Sequence, residues 1–181
     1  VSADFDELAT KRGMTMFCRI TQYMKPEWIE PNLKAFDKPS VLRELASLLS
    51  QSTSVDGDEL FLKLMEREQK ASTGADHGIA IPHATIESAD RLMVVLGKSK
   101  SGVPFNALDH ENSKLFFSVI SPTRPRAEDV SYLHLISSVC RLMRTAHMRV
   151  QLMTSETAQD MLNCLRQEED MKLNQPKSIL P

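Results

Sequence analysis

Two stretches of this chain, residues 92–96 and 114–120, run apolar with little of the alternation that a half-wetted strand would show. Continuous apolar runs of this length are what strands look like when both faces of the sheet are covered. That requirement constrains the rest of the fold, because layers of other structure must then lie above and below one sheet. At about 150 residues per domain, 181 residues supply one domain with modest extensions. A core of that size buries about 70% of the surface of the unfolded chain and needs no metal or disulfide staple. Neither apolar run approaches the length needed to cross a bilayer.

The covering layers are legible as helices. Asp37 is placed to cap a helix with Pro39 in its first turn, and Val41, Leu42, Leu45, Leu48 and Leu49 form one apolar face. Asp56 and Glu59 have capping-box spacing ahead of a second helix with Phe61, Leu64 and Met65 inward, ending near Gln69. Before them, Pro31 restricts the Trp28–Leu33 stretch to an edge or a very short strand. Ile79 and Ile81 share one strand face, and Pro82 ends that strand just before His83. Residues 122–126 read as a loop. Glu128 and Asp129 favour the start of a third helix with Val130, Leu133, Ile136, Val139 and Cys140 inward. A short helix around Met148–Met153 and a last one carrying Ala158, Met161, Leu162 and Leu165 follow. The order is strand, two helices, three strands, three helices. It predicts an α/β fold, a three-layer α/β/α sandwich around a small mixed sheet. Residues 1–18 read as an arm, 19–168 as the domain and 169–181 as a tail.

Composition removes several functional classes. Hydrophobic residues at 41% and charged residues at 25% belong to an ordinary folded chain. A formal charge of -2 provides no basic field for nucleic acid, and the arginines between Arg124 and Arg149 read as a solvated face rather than an RNA platform. Cys18, Cys140 and Cys164 are odd in number and far apart, which suits a reducing compartment rather than a disulfide framework. The first residues lack a basic segment followed by an apolar one, so no secretory signal is expected and the cytoplasm is the expected location.

Residues 71–84 carry the chemistry. Gly74 and Gly78 bound a tight loop whose backbone can approach a phosphate closely, Ser72 and Thr73 add hydroxyl donors, and the strand then delivers His83. Arg67, at the end of the second helix, could equally be a cation that satisfies the helix terminus. His134, near the start of the third helix, reads from spacing alone as a boundary histidine. His77, His83 and His110 have no metal-ligand spacing, and no Gly-x-Ser-x-Gly elbow supports a serine nucleophile.

Arg67-Glu68-Gln69, Ser72-Thr73-Gly74 and Gly78-Ile79-Ala80-Ile81-Pro82-His83, at these spacings, resemble the active-site signature of type-2 IIA domains of the bacterial phosphoenolpyruvate:sugar phosphotransferase system. Those domains include the mannitol- and fructose-type IIA components and the nitrogen-regulatory IIA-like proteins, and the similarity covers about residues 19–168. The resemblance implies that His83 accepts a phosphoryl group from the histidine-containing phosphocarrier protein, that His134 steadies the transferred group, and that Arg67 supplies positive charge. It implies no metal and no cofactor. The next partner is either a sugar-specific IIB component, or a regulated protein in the nitrogen-type role that the sequence favours; membrane insertion is not expected. In one place the chain departs from the pattern. Asp76 stands where the family keeps the middle glycine of its loop, and a carboxylate facing the pocket would repel an incoming phosphoryl group.

Overall fold

The computed structural model describes residues 18–124 and 131–174. Two single turns of 3-10 helix, Ile20–Tyr23 and Pro26–Trp28, lead into strand β1 (Ile29–Glu30). Helices α1 (Lys38–Ser50) and α2 (Gly57–Lys70) follow, then β2 (Gly74–Ala75), β3 (Ile79–Ala80), β4 (His83–Ile86), β5 (Met93–Val103) and β6 (Ser113–Pro122). Helices α3 (Tyr132–Met143), α4 (Ala146–Thr154) and α5 (Ala158–Asn174) complete the described chain.

The six strands form one mixed sheet in the order β1-β5-β6-β3-β2, with β4 also on β6. β5 and β6 are an antiparallel pair at its centre, and β1 lies parallel to β5 at one edge. β3 and β4 run parallel to β6 along its other side, in register at Ile79↔Leu115 and His83↔Val119. The expected strand stops at Pro82, but pairing resumes directly after it as β4, a strand that was not expected. Pro82 has no N–H to give, and only its carbonyl pairs, taking the Val119 N–H at 2.9 Å. Pro31 acts as its position demands, and β1 is a two-residue edge strand.

Side chains alternate across β6 into two separate cores. Phe116 and Ile120 meet Leu42, Leu45, Leu49, Leu60 and Leu64 from α1 and α2. Leu115, Phe117 and Val119 meet Leu135, Val139, Leu142, Met161 and Leu165 from α3 and α5. This is the expected three-layer α/β/α sandwich. The caps match as well, with a variation. Asp37 accepts the Ser40 N–H at 2.8 Å, and Asp56 accepts those of Asp58 and Glu59. Glu59 closes no box, because its carboxylate instead accepts the N–H groups of Glu87 and Ser88 beyond β4, tying α2 to the strand that carries His83.

Two further details differ from expectation. The buried stripe of α3 is Leu135, Ser138, Val139, Leu142 and Met143, with Leu133 and Cys140 exposed, since Leu135 and Val139 pack against the sheet, and Ser131 caps the helix. Pro125, Glu128, Asp129 and Val130 lie outside the described residues. α5 runs to Asn174, beyond the residue-168 boundary of the expected tail. The reason is Glu169, fully buried, whose carboxylate takes the Thr21 N–H at 3.2 Å and the Thr21 hydroxyl at 2.5 Å. Arg19 pairs with Asp170 at 2.6 Å beside it.

Candidate functional site

His83 opens β4 at the edge of the sheet, half-buried, with both ring nitrogens engaged. Nδ1 lies 2.9 Å from the carbonyl oxygen of Ile81, and Nε2 lies 2.9 Å from the Nε of Arg67. A carbonyl accepts and a guanidinium N–H donates, so the proton sits on Nδ1 and the lone pair on Nε2. Burial is the main cause that holds the imidazole below its usual 6.5. The Arg67 charge acts in the same direction, while the Ile81 hydrogen bond opposes it. The result is a neutral ring with a single defined nucleophilic nitrogen.

Arg67 spans the helix end and His83. Its Nη1 donates to the carbonyl of Ala71 at 2.9 Å, closing the end of α2, while its Nε holds His83. Around them is an open pocket of about 220 Å³ lined by Lys63, Glu66, Arg67, Lys70, His83, Ala84, Thr85 and Tyr132. Glu66 pairs with Lys63 at 3.1 Å and Lys70 at 3.2 Å, so three cations and one carboxylate face the space. That balance suits an anion. Lys63, Arg67 and Lys70 fall at i, i+4 and i+7, one stripe of α2, a spacing legible in the sequence. The Tyr132 ring centroid is 6.2 Å from that of His83.

His134 does not line this pocket. It is exposed on α3 two positions beyond Tyr132, and at about 100° per residue those two side chains leave the helix on nearly opposite sides. The His134 carbonyl instead meets the Cys18 thiol at 3.7 Å, and the Ser138 hydroxyl, one turn on, accepts the Cys18 N–H at 3.3 Å. The segment from Cys18 leads to β1, across the sheet from β4. The α3 residue that reaches His83 is therefore Tyr132.

The residues of the expected phosphate loop are engaged within the fold. The Ser72 hydroxyl donates to the Phe105 carbonyl at 2.7 Å and accepts the Gly74 N–H at 3.1 Å. The Thr73 hydroxyl donates to Glu68 at 2.5 Å. Gly74 packs against the backbone of Ala107 and Phe105, where a Cβ would come within 3.0 Å. Gly78, at φ +74°, offers its carbonyl to the N–H groups of Lys114 and Leu115. None of these four lines the pocket. The turn at 76–78 closes the β2–β3 hairpin, and the four-residue offset along β6 puts it about 13 Å or more from His83. Asp76 is exposed on that turn and faces no incoming group at His83.

Residues 22–168 match the family described as phosphoenolpyruvate-dependent sugar phosphotransferase system, EIIA 2. The chain belongs to this family. It is 25% identical over 152 residues to the fructose-specific EIIABC component of Bacillus subtilis, spanning 83% of this chain and 24% of that longer protein. It is 27% identical over 146 residues to a nitrogen regulatory protein of Bradyrhizobium diazoefficiens, spanning 81% of this chain and 94% of the relative. Among solved structures, the nitrogen regulatory protein IIA-Ntr of Neisseria meningitidis superimposes with a TM-score of 0.71 at 24% identity, covering 81% of this chain and 98% of that one. The Escherichia coli IIA mannitol enzyme, in complex with phosphorylated IIB, gives 0.66 at 19% identity, covering 80% and 99%. These last two likenesses are of fold. The domain is thus a IIA-type phosphoryl-transfer component, and among its described residues no helix is long and apolar enough to cross a membrane.

Proposed function

We propose that the domain accepts a phosphoryl group on Nε2 of His83 from the histidine-containing phosphocarrier protein and serves in a nitrogen-type regulatory role. The observation that carries the acceptor assignment is the pair of hydrogen bonds on the ring, which leaves Nε2 as the one lone pair and turns it into a cationic pocket. In the transfer, the Nε2 lone pair attacks phosphorus, the donor's P–N bond breaks, and the donor nitrogen keeps the electron pair. The His83 proton stays on Nδ1, and the ring gains positive charge that the Ile81 carbonyl faces directly. Arg67 must leave Nε2 for this to happen. Its guanidinium then pairs with the phosphoryl oxygens, and Lys63 and Lys70 add charge at the rim, the positioning and electrostatic stabilisation on which such transfers depend. Tyr132, rather than His134, is the α3 group placed to meet the transferred oxygens.

The match across 94% of a nitrogen regulatory protein supports the regulatory role. The mannitol neighbour, solved with phosphorylated IIB, supports a second reading in which a IIB component takes the phosphoryl group onward for sugar transport. Incubation with phosphoenolpyruvate and the upstream carriers should place one acid-labile phosphate on His83, and a folded His83→Ala protein should take none. Label persisting in His83→Ala refutes the acceptor assignment. Rapid discharge to IIB components favours the transport reading over the regulatory one.

A further inference from the structure

Resting on His83 as acceptor, we propose that Glu68 is the positioning residue of this site, acting through Thr73 and Ile81 to keep the His83 ring turned with its lone pair on Nε2, and that Lys38 is its counter-charge. Glu68 is a buried carboxylate on α2 that touches neither His83 nor the pocket. Its oxygens lie 3.0 and 3.1 Å from the Thr73 N–H, and Oε2 also accepts the Thr73 hydroxyl. The Thr73 carbonyl accepts the Ile81 N–H at 3.0 Å, and the Ile81 carbonyl meets Nδ1 of His83 at 2.9 Å. Four residues thus form one unbroken line of hydrogen bonds from a buried charge to the proton that fixes the tautomer.

The line is anchored at its far end. Lys38, in the first turn of α1, meets Glu68 at 2.7 Å, and its ammonium lies 4.8 Å from the centroid of the Phe105 ring. The Phe105 carbonyl in turn accepts the Ser72 hydroxyl, so residues 72 and 73 are held from both sides. Glu68 also follows Arg67 directly. One turn of α2 therefore carries the group that holds Nε2 and the group that fixes the Nδ1 side, and displacing one without the other would lose the alignment. Chains of hydrogen bonds polarise one another, so a carboxylate drawing on the Thr73 N–H strengthens the carbonyl acceptors further along.

The test reads the ring itself. Long-range proton–nitrogen NMR of 15N-labelled protein, with His83 assigned by comparison with His83→Ala, should show wild type with its proton on Nδ1. In Glu68→Gln and in Thr73→Val, a mixture of tautomers should appear, and the maximal labelling rate should fall at least about tenfold. The donor concentration at half-maximal rate should change less than about twofold, since the defect lies in aim and not in docking. Thr73→Ser, which keeps the hydroxyl, should restore both readings. Wild-type ring signals in either folded variant overturn the proposal, as does a slowed rate with an unshifted tautomer. If His83→Ala still takes label, the acceptor reading falls alone. The ring signals, assigned without any phosphoryl transfer, still decide the role of Glu68.

Discussion

Replacing Lys38 by Met removes one end of the Lys38–Glu68 pair and little else, because the methionine stem can keep the packing over Phe105. The lysine side chain is 19% exposed and the glutamate 4%, so the loss falls on the partner that cannot reach water. Breaking a buried pair from one side costs about 3–5 kcal/mol, since it leaves a buried charge uncompensated. Glu68 keeps its bonds from Thr73, which places the change at the lower end, about 3 kcal/mol. For a chain of this size each kcal/mol moves Tm by about 2–4 °C, so Lys38→Met should melt about 6–12 °C below wild type. Glu68→Gln should cost less, about 1.5 kcal/mol, because a lysine near the rim can extend its ammonium into water. Urea unfolding of wild type, both single variants and the double variant closes a cycle, and the two sites should couple by about 1–3 kcal/mol. A Lys38→Met protein within about 0.5 kcal/mol of wild type, or strictly additive effects, would show that the pair holds nothing together.

Three further outcomes follow from the site. Tyr132→Phe should slow labelling of His83 while His134→Ala leaves the rate within about twofold, and the reverse order in single-turnover assays would return the role to His134. Because the folded His83 value lies below 6.5, the unfolded chain binds that proton first as pH falls. The stability contributed by the neutral ring is complete above 6.5 and is lost on the way down, so His83→Asn should flatten the fall in stability just below pH 6.5. Wild-type labelling should also persist through that range, and a half-maximal rate at 6.5 would contradict the neutral ring. Gly74→Ala should lower stability by about 1–3 kcal/mol, because its Cβ meets backbone atoms of the 105–107 loop, yet leave labelling within about twofold while the protein is folded. A selective loss of labelling would make residue 74 part of the phosphate site.

The features read correctly from sequence were those that local chemistry dictates. Pro31 limits a strand wherever it falls, and Asp37 and Asp56 cap helices without help from distant residues. The motif around His83 was legible for the same reason. What local chemistry could not reveal depended on contacts far apart in the chain. Ser72 and Thr73 have the composition of a phosphate cradle, but Phe105 and Glu68 claim their hydroxyls. Asp76 follows a glycine by two residues, but the hairpin register with β6 decides which end of the sheet it occupies. For α3, the expected stripe was right at Val139 and Ile136 but also took in Leu133 and Cys140, which are exposed, while Leu135 and Leu142 face the sheet. The role expected of His134 came from the resemblance alone, while the turn of α3 brings Tyr132 to the pocket.

The bond between Thr21 and Glu169 joins residues 148 positions apart. A ribosome adding about 5–20 residues per second needs about 7–30 s to make the second partner after the first. Through that interval Ile20 has nothing of α5 to pack against, and the Thr21 N–H must be satisfied by water. β1 cannot take its final place beside β5 until residues 93–103 have emerged, and even then the turn ahead of it waits for the last helix. The hairpin of β5 and β6 with α1 and α2 can form meanwhile, so the half of the molecule that carries Arg67 and His83 can assemble before the clasp closes. A nascent chain stalled after α4 should therefore protect the backbone of α2 from hydrogen exchange while residues 18–23 still exchange freely.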